Sequence, residues 1–479
     1  MHPRSSLLAL PRELRNKIYE YYVTVPGGYK LDFHRNKLTT MDDKPVELRF
    51  MYTCTLVADE MRGLALGHNT ITFSTVYSDE LRMLAGHFEY VLRKLYVHKE
   101  LMLRKYVRIL TDENANRIAE MLKSCPDLIA PLSQATLRIL SQIPDFDDPG
   151  TTSRQELTSG EDIASADWAP WTIPDEKELE RMTIVVYGDY AHQVLEFWSQ
   201  TPDRSKWRFS ATAAAIRFLG SISKLHRDSV RRILLLEDHE GVAYQECHAF
   251  GLIPFCKENP HLRVERRVNL WRNIFLKCDG DQWSFYRRVM AVGEVKTNGV
   301  EAIKAPEVIA SWLQDTLRLI PDGMPSGAFK LTVDGESASE KSCEIFQIVQ
   351  KHAAWKMAPE DAWNRKVGNI DSSGIPMSVE ENNREQENRG PLELPWIGLH
   401  ESDSIYGVEV HPEVPLPSMQ QIREENVLWD EEYDQMKCVR EQEEEYQLLV
   451  RLYDVEADME EEKFYSPPWK LVGYRTTKH

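Results

Sequence analysis

Several features common in membrane, secreted and enzymatic proteins are missing from this sequence of 479 residues. It has no run of about 18 apolar residues, the length that a membrane-spanning helix needs. Its first residues lead into a charged amphipathic segment rather than into an apolar stretch followed by a small-residue cleavage site. We therefore expect neither a membrane span nor secretion.

Paired cysteines are missing as well. The chain has 7 cysteines, an odd number, and none are spaced as Cys-x-x-Cys. This usage is typical of free thiols in a reducing compartment, so we expect a cytoplasmic or nuclear protein. Cys247, His248, Cys256 and His261 lie close in sequence, but their order matches none of the usual zinc-ligand pairs. Buried thiols are favoured over zinc, and we expect no metal or other cofactor.

The common catalytic signatures are also absent. The sequence contains no G-x-S-x-G, H-E-x-x-H, Walker or glycine-rich dinucleotide motif, and we expect no enzymatic activity. One alternative stays open, because Asp238 and His239 follow a predicted strand at residues 233–236, and α/β proteins build sites at the carboxyl ends of parallel strands. They could serve a hydrolase or transferase, or they could form an ordinary polar turn.

Basic residues are scarce relative to acidic ones. The net charge of −18 argues against a nucleic-acid-binding surface. Residues 424–462 hold 16 acidic and three basic residues, a net of −13, so most of the imbalance lies in this acidic segment. It could dock on a basic partner or serve only to solubilise the protein. One compact basic group could pair with it or meet a ligand, and it consists of Arg231, Arg232, Arg263, Arg266 and Arg267.

Residues 7–22 are the most informative stretch that is present. Pro11 suits the first helical position, where its missing N–H is not needed. Apolar residues then recur at i, i+4, i+7 and i+8 and predict an amphipathic helix, namely Leu14, Ile18, Tyr21 and Tyr22. The opposite side of this helix is charged.

A second helix and two short strands follow. Residues 29–33 and 70–73 alternate in polarity and predict two strands that could pair. Between them a helical stripe needs a facing surface, for which the first helix is the nearest candidate, and it comprises Phe50, Cys54, Val57, Met61 and Leu64. We expect this module to close on itself by about residue 75.

The opening LLALPRELRNKIYEYY, followed by a second helix and the strand at residues 69–73, resembles the N-terminal module of fungal F-box-like proteins. Residues 230–271 also resemble a block found in such proteins, which implies kinship but no activity. The resemblance implies that the first helix docks on a Skp-type adaptor of a cullin-type ubiquitin ligase. The positions that match the motif are Leu10, Pro11, Leu14 and Ile18. Alternatively, Leu14 and Ile18 form only the wall of a core.

Helical and strand patterns alternate through the rest of the chain. Strands at residues 207–209, 230–236 and 262–265, separated by helices, predict a small α/β layer with parallel neighbouring strands. Ser210 is predicted to cap the helix that follows residues 207–209. Residues 329–333 are a further strand candidate, and another helix is predicted from Asp112 through Leu122. A degenerate leucine-rich repeat is the alternative. The fold class predicted is α+β and predominantly helical. The predicted segments are an F-box-like module (1–75), a helical connector (76–142), a loop or linker (143–174), a central α/β domain (175–363), a disordered linker (364–423) and an acidic helical tail (424–479).

These observations favour a protein-interaction subunit that carries no catalytic residues. The first module would bind a Skp-type adaptor while the rest of the chain presents a protein substrate whose identity the sequence does not specify. A scaffold protein with no link to ubiquitin is the main alternative. The two readings differ in whether Leu10, Pro11, Leu14 and Ile18 can be reached from solvent.

Overall fold

The computed structural model describes residues 7–107, 160–192, 194–195, 207–274, 304–335, 342 and 408–409. The predicted acidic tail, nearly all of the predicted disordered linker and the helix predicted near residues 112–122 lie outside these residues. The chain forms two compact units. Unit 1 comprises Met1–Ser74, Ser223–Glu240 and Ile253–His479, and unit 2 comprises Thr75–Ile222 and Gly241–Leu252.

Unit 1 contains seven strands and six α-helices among its described residues. The strands are β1 (Tyr29–Asp32), β2 (Lys37–Thr40), β3 (Thr70–Ser74), β4 (Arg232–Glu237), β5 (Arg263–Asn269), β6 (Phe329–Asp334) and β7 (Val408–Glu409). The helices are α1 (Arg12–Val23), α2 (Thr55–Met61), α3 (Leu64–His68), α8 (Lys224–Arg227), α9 (Ile253–Glu258) and α10 (Lys304–Arg318).

The strands form one mixed sheet in the order β2-β1-β3-β4-β5-β6-β7. Only β1 and β2 pair antiparallel, and every other neighbouring pair is parallel. From β3 onward each strand is added beside the one before it in the chain. The structure confirms the mixed α/β content and the parallel pairing of the strands near residues 230–236 and 262–265. The strand candidate at residues 329–333 forms β6, whereas the strand predicted at residues 207–209 is reduced to an isolated bridge between Phe209 and Val76.

Strand β3 joins the N-terminal strands to the central ones. It pairs with β1 through Tyr29 and Ile71, as the sequence predicts. It also pairs along its whole length with β4, where Thr70 is opposite Arg232 and Ser74 is opposite Leu236. The expectation that the N-terminal module closes on itself near residue 75 is therefore wrong, because the second edge of β3 needs a partner and β4 provides it.

One face of this sheet is buried. Along β4, Ile233, Leu235 and Glu237 are buried, whereas the two residues between them are half-buried. Because β4 and β5 are paired in register, the same face continues through Val264 and Arg266, which are also buried. This alternation is typical of a strand with one face in a core and the other nearer to solvent.

A buried ion pair joins the end of β4 to the middle of β5. Both Nε and Nη2 of Arg266 donate to Oε1 of Glu237, at 3.1 and 2.9 Å. The guanidinium also lies over the ring of Trp312 in α10, 4.5 Å from its centroid. Asn273 donates to the carbonyl oxygens of Glu237 and His239. Two charges taken out of water are tolerated here because each is hydrogen-bonded and the arginine faces an aromatic ring.

The start of β3 is tied to the end of α1 by Asn69, which is only 2% exposed. Its side-chain nitrogen donates to the carbonyl oxygens of Val23 and Ala65, each at 2.8 Å, and its oxygen accepts from the N–H of Val25 at 2.8 Å. The Asn69 side chain therefore hydrogen-bonds three main-chain groups, which would otherwise lack a partner where the helices end.

Unit 2 is helical among its described residues. Its α-helices are α4 (Asp79–Val107), α5 (Gly160–Ser165), α6 (Glu176–Tyr187) and α7 (Ala211–Ser221), and a 3-10 helix spans Gln245–Leu252. Helix α5 lies in the segment predicted to be a loop or linker. Ser210 caps α7 by accepting from the N–H of Ala213, which confirms the predicted cap.

Helices α4 and α6 pack together through one buried polar contact and one aromatic pair. Nε2 of His87 lies 2.9 Å from Oγ1 of Thr183, whose hydroxyl donates to the carbonyl oxygen of Leu179. The rings of Tyr90 and Tyr187 stack with centroids 5.7 Å apart. Because Thr183 already donates elsewhere, His87 supplies the proton in their contact.

We expect Arg266→Met to lower the free energy of unfolding by about 3–5 kcal/mol, because it leaves the Glu237 carboxylate buried without its partner. The double variant Glu237→Leu/Arg266→Met should recover most of this loss, since no buried charge remains. Urea unfolding followed by tryptophan fluorescence measures both. Arg267→Met, which breaks the surface pair with Glu265, is the control and should cost under about 1 kcal/mol. Equal stability of wild type and Arg266→Met would contradict the prediction.

A second expectation concerns acid sensitivity in unit 2. Burial lowers the pKa of His87 from 6.5 to about 4. The unfolded chain therefore takes up a proton near pH 6.5 that the folded protein does not accept until pH 4, so folding stability falls across this range as pH decreases. His87→Gln keeps a donor for Thr183 but does not titrate. Its loss of stability between pH 7 and pH 4 should be smaller than that of wild type by roughly 2–3 kcal/mol in urea titrations. Identical pH profiles would refute it.

Candidate functional site

Helix α1 is held to unit 1 by a face that the sequence pattern did not single out. Tyr19 and Val23 are buried, at 0% and 3% exposure, in a cluster with Val57 and Met61 of α2. The ring of Phe50 packs edge-on against Tyr19. The predicted stripe on the second helical segment is confirmed as core, and α1 is its facing surface as expected.

A polar network fixes the orientation of α1. Nε and Nη2 of Arg15 donate to the two carboxylate oxygens of Glu60, at 2.9 and 2.5 Å, and the hydroxyl of Tyr19 donates to Glu60 at 2.9 Å. Nη1 of Arg15 donates to the carbonyl oxygen of Leu10 at 2.6 Å. The same arginine therefore anchors the helix and the turn that precedes it. The hydrogen bonds from Arg15 hold the pKa of Glu60 at about 2, well below its usual value.

The residues that match the F-box-like motif lie mostly on the exposed side of this helix. Leu14 is 47% exposed and Ile18 is 40% exposed. Pro11 is exposed and Leu10 is half-buried. The alternative that Leu14 and Ile18 line a core is therefore wrong, since both side chains are exposed among the described residues. Tyr19 and Val23 occupy the core instead, because the Arg15–Glu60 contact turns the other side of the helix inward. We call Leu10, Pro11, Leu14 and Ile18 the α1 row.

Other large apolar side chains in unit 1 are exposed as well. Tyr21 of α1 is 89% exposed, and Tyr52 and Leu56 near the start of α2 are 81% and 46% exposed. The sequence pattern placed Tyr21 on the same apolar face as Leu14 and Ile18, and all three reach solvent. Scattered exposed apolar residues are common, but three on one helix of 12 residues are more typical of an interaction surface.

The alternative site at Asp238 and His239 has a simple structure. These residues follow β4, and Nδ1 of His239 lies 3.1 Å from Oδ2 of Asp238. Asn273 donates at 2.6 Å to the main-chain oxygen of His239, which fixes the backbone of this turn rather than the imidazole. Among the residues that the structure describes, no three His, Cys, Asp or Glu side chains form a group that could hold a metal ion. The structure shows one contact between the Asp238 carboxylate and the His239 imidazole, and we assign no hydrolase or transferase site on this contact alone.

The cysteine and histidine residues near position 250 are held in ways that do not suit metal binding. Nδ1 of His248 lies 2.6 Å from Oγ of Ser210, and its Nε2 lies 2.8 Å from the carbonyl oxygen of Ala243, so neither ring nitrogen is available as a ligand. Cys256 is a buried free thiol whose pKa is raised by burial to about 12. Ser210 and His248 are both fully buried, and their contact anchors the start of α7.

The structure separates the five arginines of the predicted basic group. Arg266 is buried against Glu237, and Arg267 pairs with Glu265 at 2.8 Å. Arg231, Arg232 and Arg263 hydrogen-bond only to main-chain carbonyl oxygens, given the contacts that the described residues make. The sequence analysis treated the five arginines as one group. The period of two in β5 could have distinguished Arg266, because it places this residue on the same face as Val264 and Val268.

Comparisons with family models, with curated proteins and with solved structures found no match to this chain. The class of protein is therefore defined by the structure alone. It is a mixed α/β protein whose first helix presents an apolar row to solvent. Among the described residues, no helix is both long and apolar enough to cross a membrane.

We expect Glu60→Gln to destabilise unit 1 at pH 7, because it removes the charge that Arg15 faces. The pKa of Glu60 lies near 2 in the folded protein, against an ordinary 4.5, so this carboxylate stabilises the fold above about pH 4.5 and its contribution is lost as the pH falls toward 2. The difference in urea midpoint between wild type and variant should narrow over that range. Glu13→Gln, at an exposed position of α1, is the control. A difference that does not change with pH would contradict the expectation.

Proposed function

We propose that this chain is a protein-interaction subunit that binds a Skp-type adaptor through the α1 row, and that it serves as a substrate receptor of a cullin-type ubiquitin ligase. The observation that carries the proposal is the exposure of Leu14 and Ile18 on a helix whose opposite side is fixed in the core. The resemblance of residues 7–22 to F-box-like modules supplies the class of partner.

The way α1 is held supports this role. A docking helix binds more tightly if it is already ordered before the partner arrives, since ordering it on binding costs free energy. The contacts of Arg15 with Glu60 and with the carbonyl oxygen of Leu10 order both the helix and the turn that carries Pro11. Leu14 and Ile18 are therefore available for burial by a partner, and full burial of such side chains contributes about 1.5–3 kcal/mol each.

The remaining chain would present the substrate, and none of its residues is assigned a catalytic step. We place this activity in the cytoplasm or nucleus, where ubiquitin ligases act. Support comes from the cysteines, because the three described ones, Cys54, Cys247 and Cys256, are free thiols. We further propose that helices outweigh strands over the full length, since the predicted acidic segment also carries a helical pattern. A scaffold protein without a ubiquitin link stays the alternative.

Co-purification of the full-length protein with a Skp-type adaptor tests the proposal. Wild type should bind, and Leu14→Asp/Ile18→Asp should weaken binding by roughly 30- to 100-fold, since two apolar contacts worth about 1 kcal/mol or more each are replaced by charges that must be desolvated. Both substitutions are at exposed positions, so the variant should keep the thermal midpoint of wild type.

The matched control is Tyr52→Asp/Leu56→Asp, which changes two other exposed apolar residues of unit 1. It should bind the adaptor as wild type does. Failure of folded wild type to bind would overturn the proposal in favour of the scaffold reading. Equal loss of binding in both double variants would show that the α1 row is not the specific contact.

A further inference from the structure

Three arginines stand out in a protein with an excess of acidic residues. Arg231, Arg232 and Arg263, which we call the arginine triad, lie at the N-terminal ends of β4 and β5. Arg232 and Arg263 are direct partners across these strands, and the N–H of Arg263 donates to the carbonyl oxygen of Arg231 at 2.8 Å. Arg232 and Arg263 are exposed and Arg231 is half-buried.

Main-chain carbonyl oxygens hold each guanidinium of the triad. The acceptors are Asp228 and Val230 for Arg231, His68 for Arg232, and Pro260 and Leu262 for Arg263. In the part of the chain that the structure describes, none of the three forms an ion pair with a carboxylate. A guanidinium has five N–H donors, so each keeps donors free for an anion while its position is fixed.

Three like charges so close together repel each other unless an anion neutralises them. Some arginines elsewhere in unit 1 show one solution, since Arg15, Arg62 and Arg227 each pair with a carboxylate. The three arginines of the triad have no such partner among the described residues. Its position at one end of two adjacent strands, with two of its three residues exposed, favours a binding surface for an acidic group.

We propose that the arginine triad binds the acidic segment of the same chain, residues 424–462. This segment carries 16 acidic and three basic residues, a net of −13, which is the charge complement of the triad. Charge-assisted hydrogen bonds from arginine to carboxylate are the strongest of their kind.

The segment is also tethered within reach. Strand β7 pairs with β6 up to Glu409, which is opposite Thr332. About 15 residues separate Glu409 from residue 424, and extended chain of that length spans roughly 50 Å. From Glu409, the triad lies at most three strands away, which is about 15 Å across the sheet, and at most roughly 20 Å along the strands. Because the tether makes the contact intramolecular, weak individual ion pairs suffice, as the effective concentration is of millimolar order.

Limited proteolysis of the full-length protein with chymotrypsin tests the proposal. The aromatic residues Tyr433, Tyr446 and Tyr453 provide cleavage sites inside the segment, and mass spectrometry identifies the cuts. At low salt, cleavage there should be about tenfold slower in wild type than in Arg231→Gln/Arg232→Gln/Arg263→Gln. The difference should disappear at about 0.5 M salt, because exposed charges are then screened.

Three further measurements make the test decisive. The control Arg35→Gln/Arg49→Gln/Arg62→Gln, which changes exposed arginines elsewhere in unit 1, should cleave like wild type. Glu443→Gln/Glu444→Gln/Glu445→Gln should speed cleavage without touching the folded units. Charge exchange should restore protection from cleavage. This variant combines Arg231→Glu/Arg232→Glu/Arg263→Glu with Glu443→Arg/Glu444→Arg/Glu445→Arg.

Two outcomes would overturn the proposal. Equal cleavage of wild type and the triad variant at low salt would show that the triad does not hold the segment. Protection that increases with protein concentration would assign the contact to a second copy of the chain instead of to the same molecule.

Discussion

The pairing of β3 on both of its edges is the constraint on which unit 1 depends. One edge accepts β1 and the other accepts β4, a strand that begins about 160 residues later in the chain. A strand of this length left with one free edge would expose unpaired main-chain groups, which proteins avoid. The pairing therefore makes the N-terminal helices and the central strands parts of the same unit, and Asn69 carries the connection to the end of α1.

Helix α1 shows how one ion pair can assign the two sides of a helix. Without Glu60, the apolar spacing of Leu14 and Ile18 would favour turning them toward the core. The Arg15–Glu60 contact and the hydroxyl of Tyr19 place a polar network at the helix–helix contact and leave the aliphatic residues outside. A tyrosine suits this inner position because its ring fills the core while its hydroxyl reaches the carboxylate. Packing thus occupies one side of a single short helix, and the residues that we propose as the adaptor contact lie on another side.

Charge is organised differently in the two parts of the arginine group. Arg266 is taken out of water against Glu237 and Trp312, where it joins two neighbouring strands and costs stability if its partner is removed. The triad is left at the surface and held only by carbonyl oxygens. The first arrangement serves the fold, and we propose that the second recognises an anion. A pattern of five nearby arginines in a sequence does not distinguish them, because the distinction depends on which face of a strand each side chain takes.

Local patterns in the sequence determined the elements, and tertiary structure decided their use. The period of helix α1, the cap at Ser210, the strands near residues 233, 264 and 331, and the stripe through Val57 and Met61 all follow from short-range spacing and were predicted. Strand β2, the pairing of β3 with β4, and the inward turn of Tyr19 were not, because each depends on a partner distant in sequence, such as Glu60 for Arg15. The candidate residues of the α1 row could be named from the sequence. Their exposure could not, since solvent access is a property of the whole packed unit.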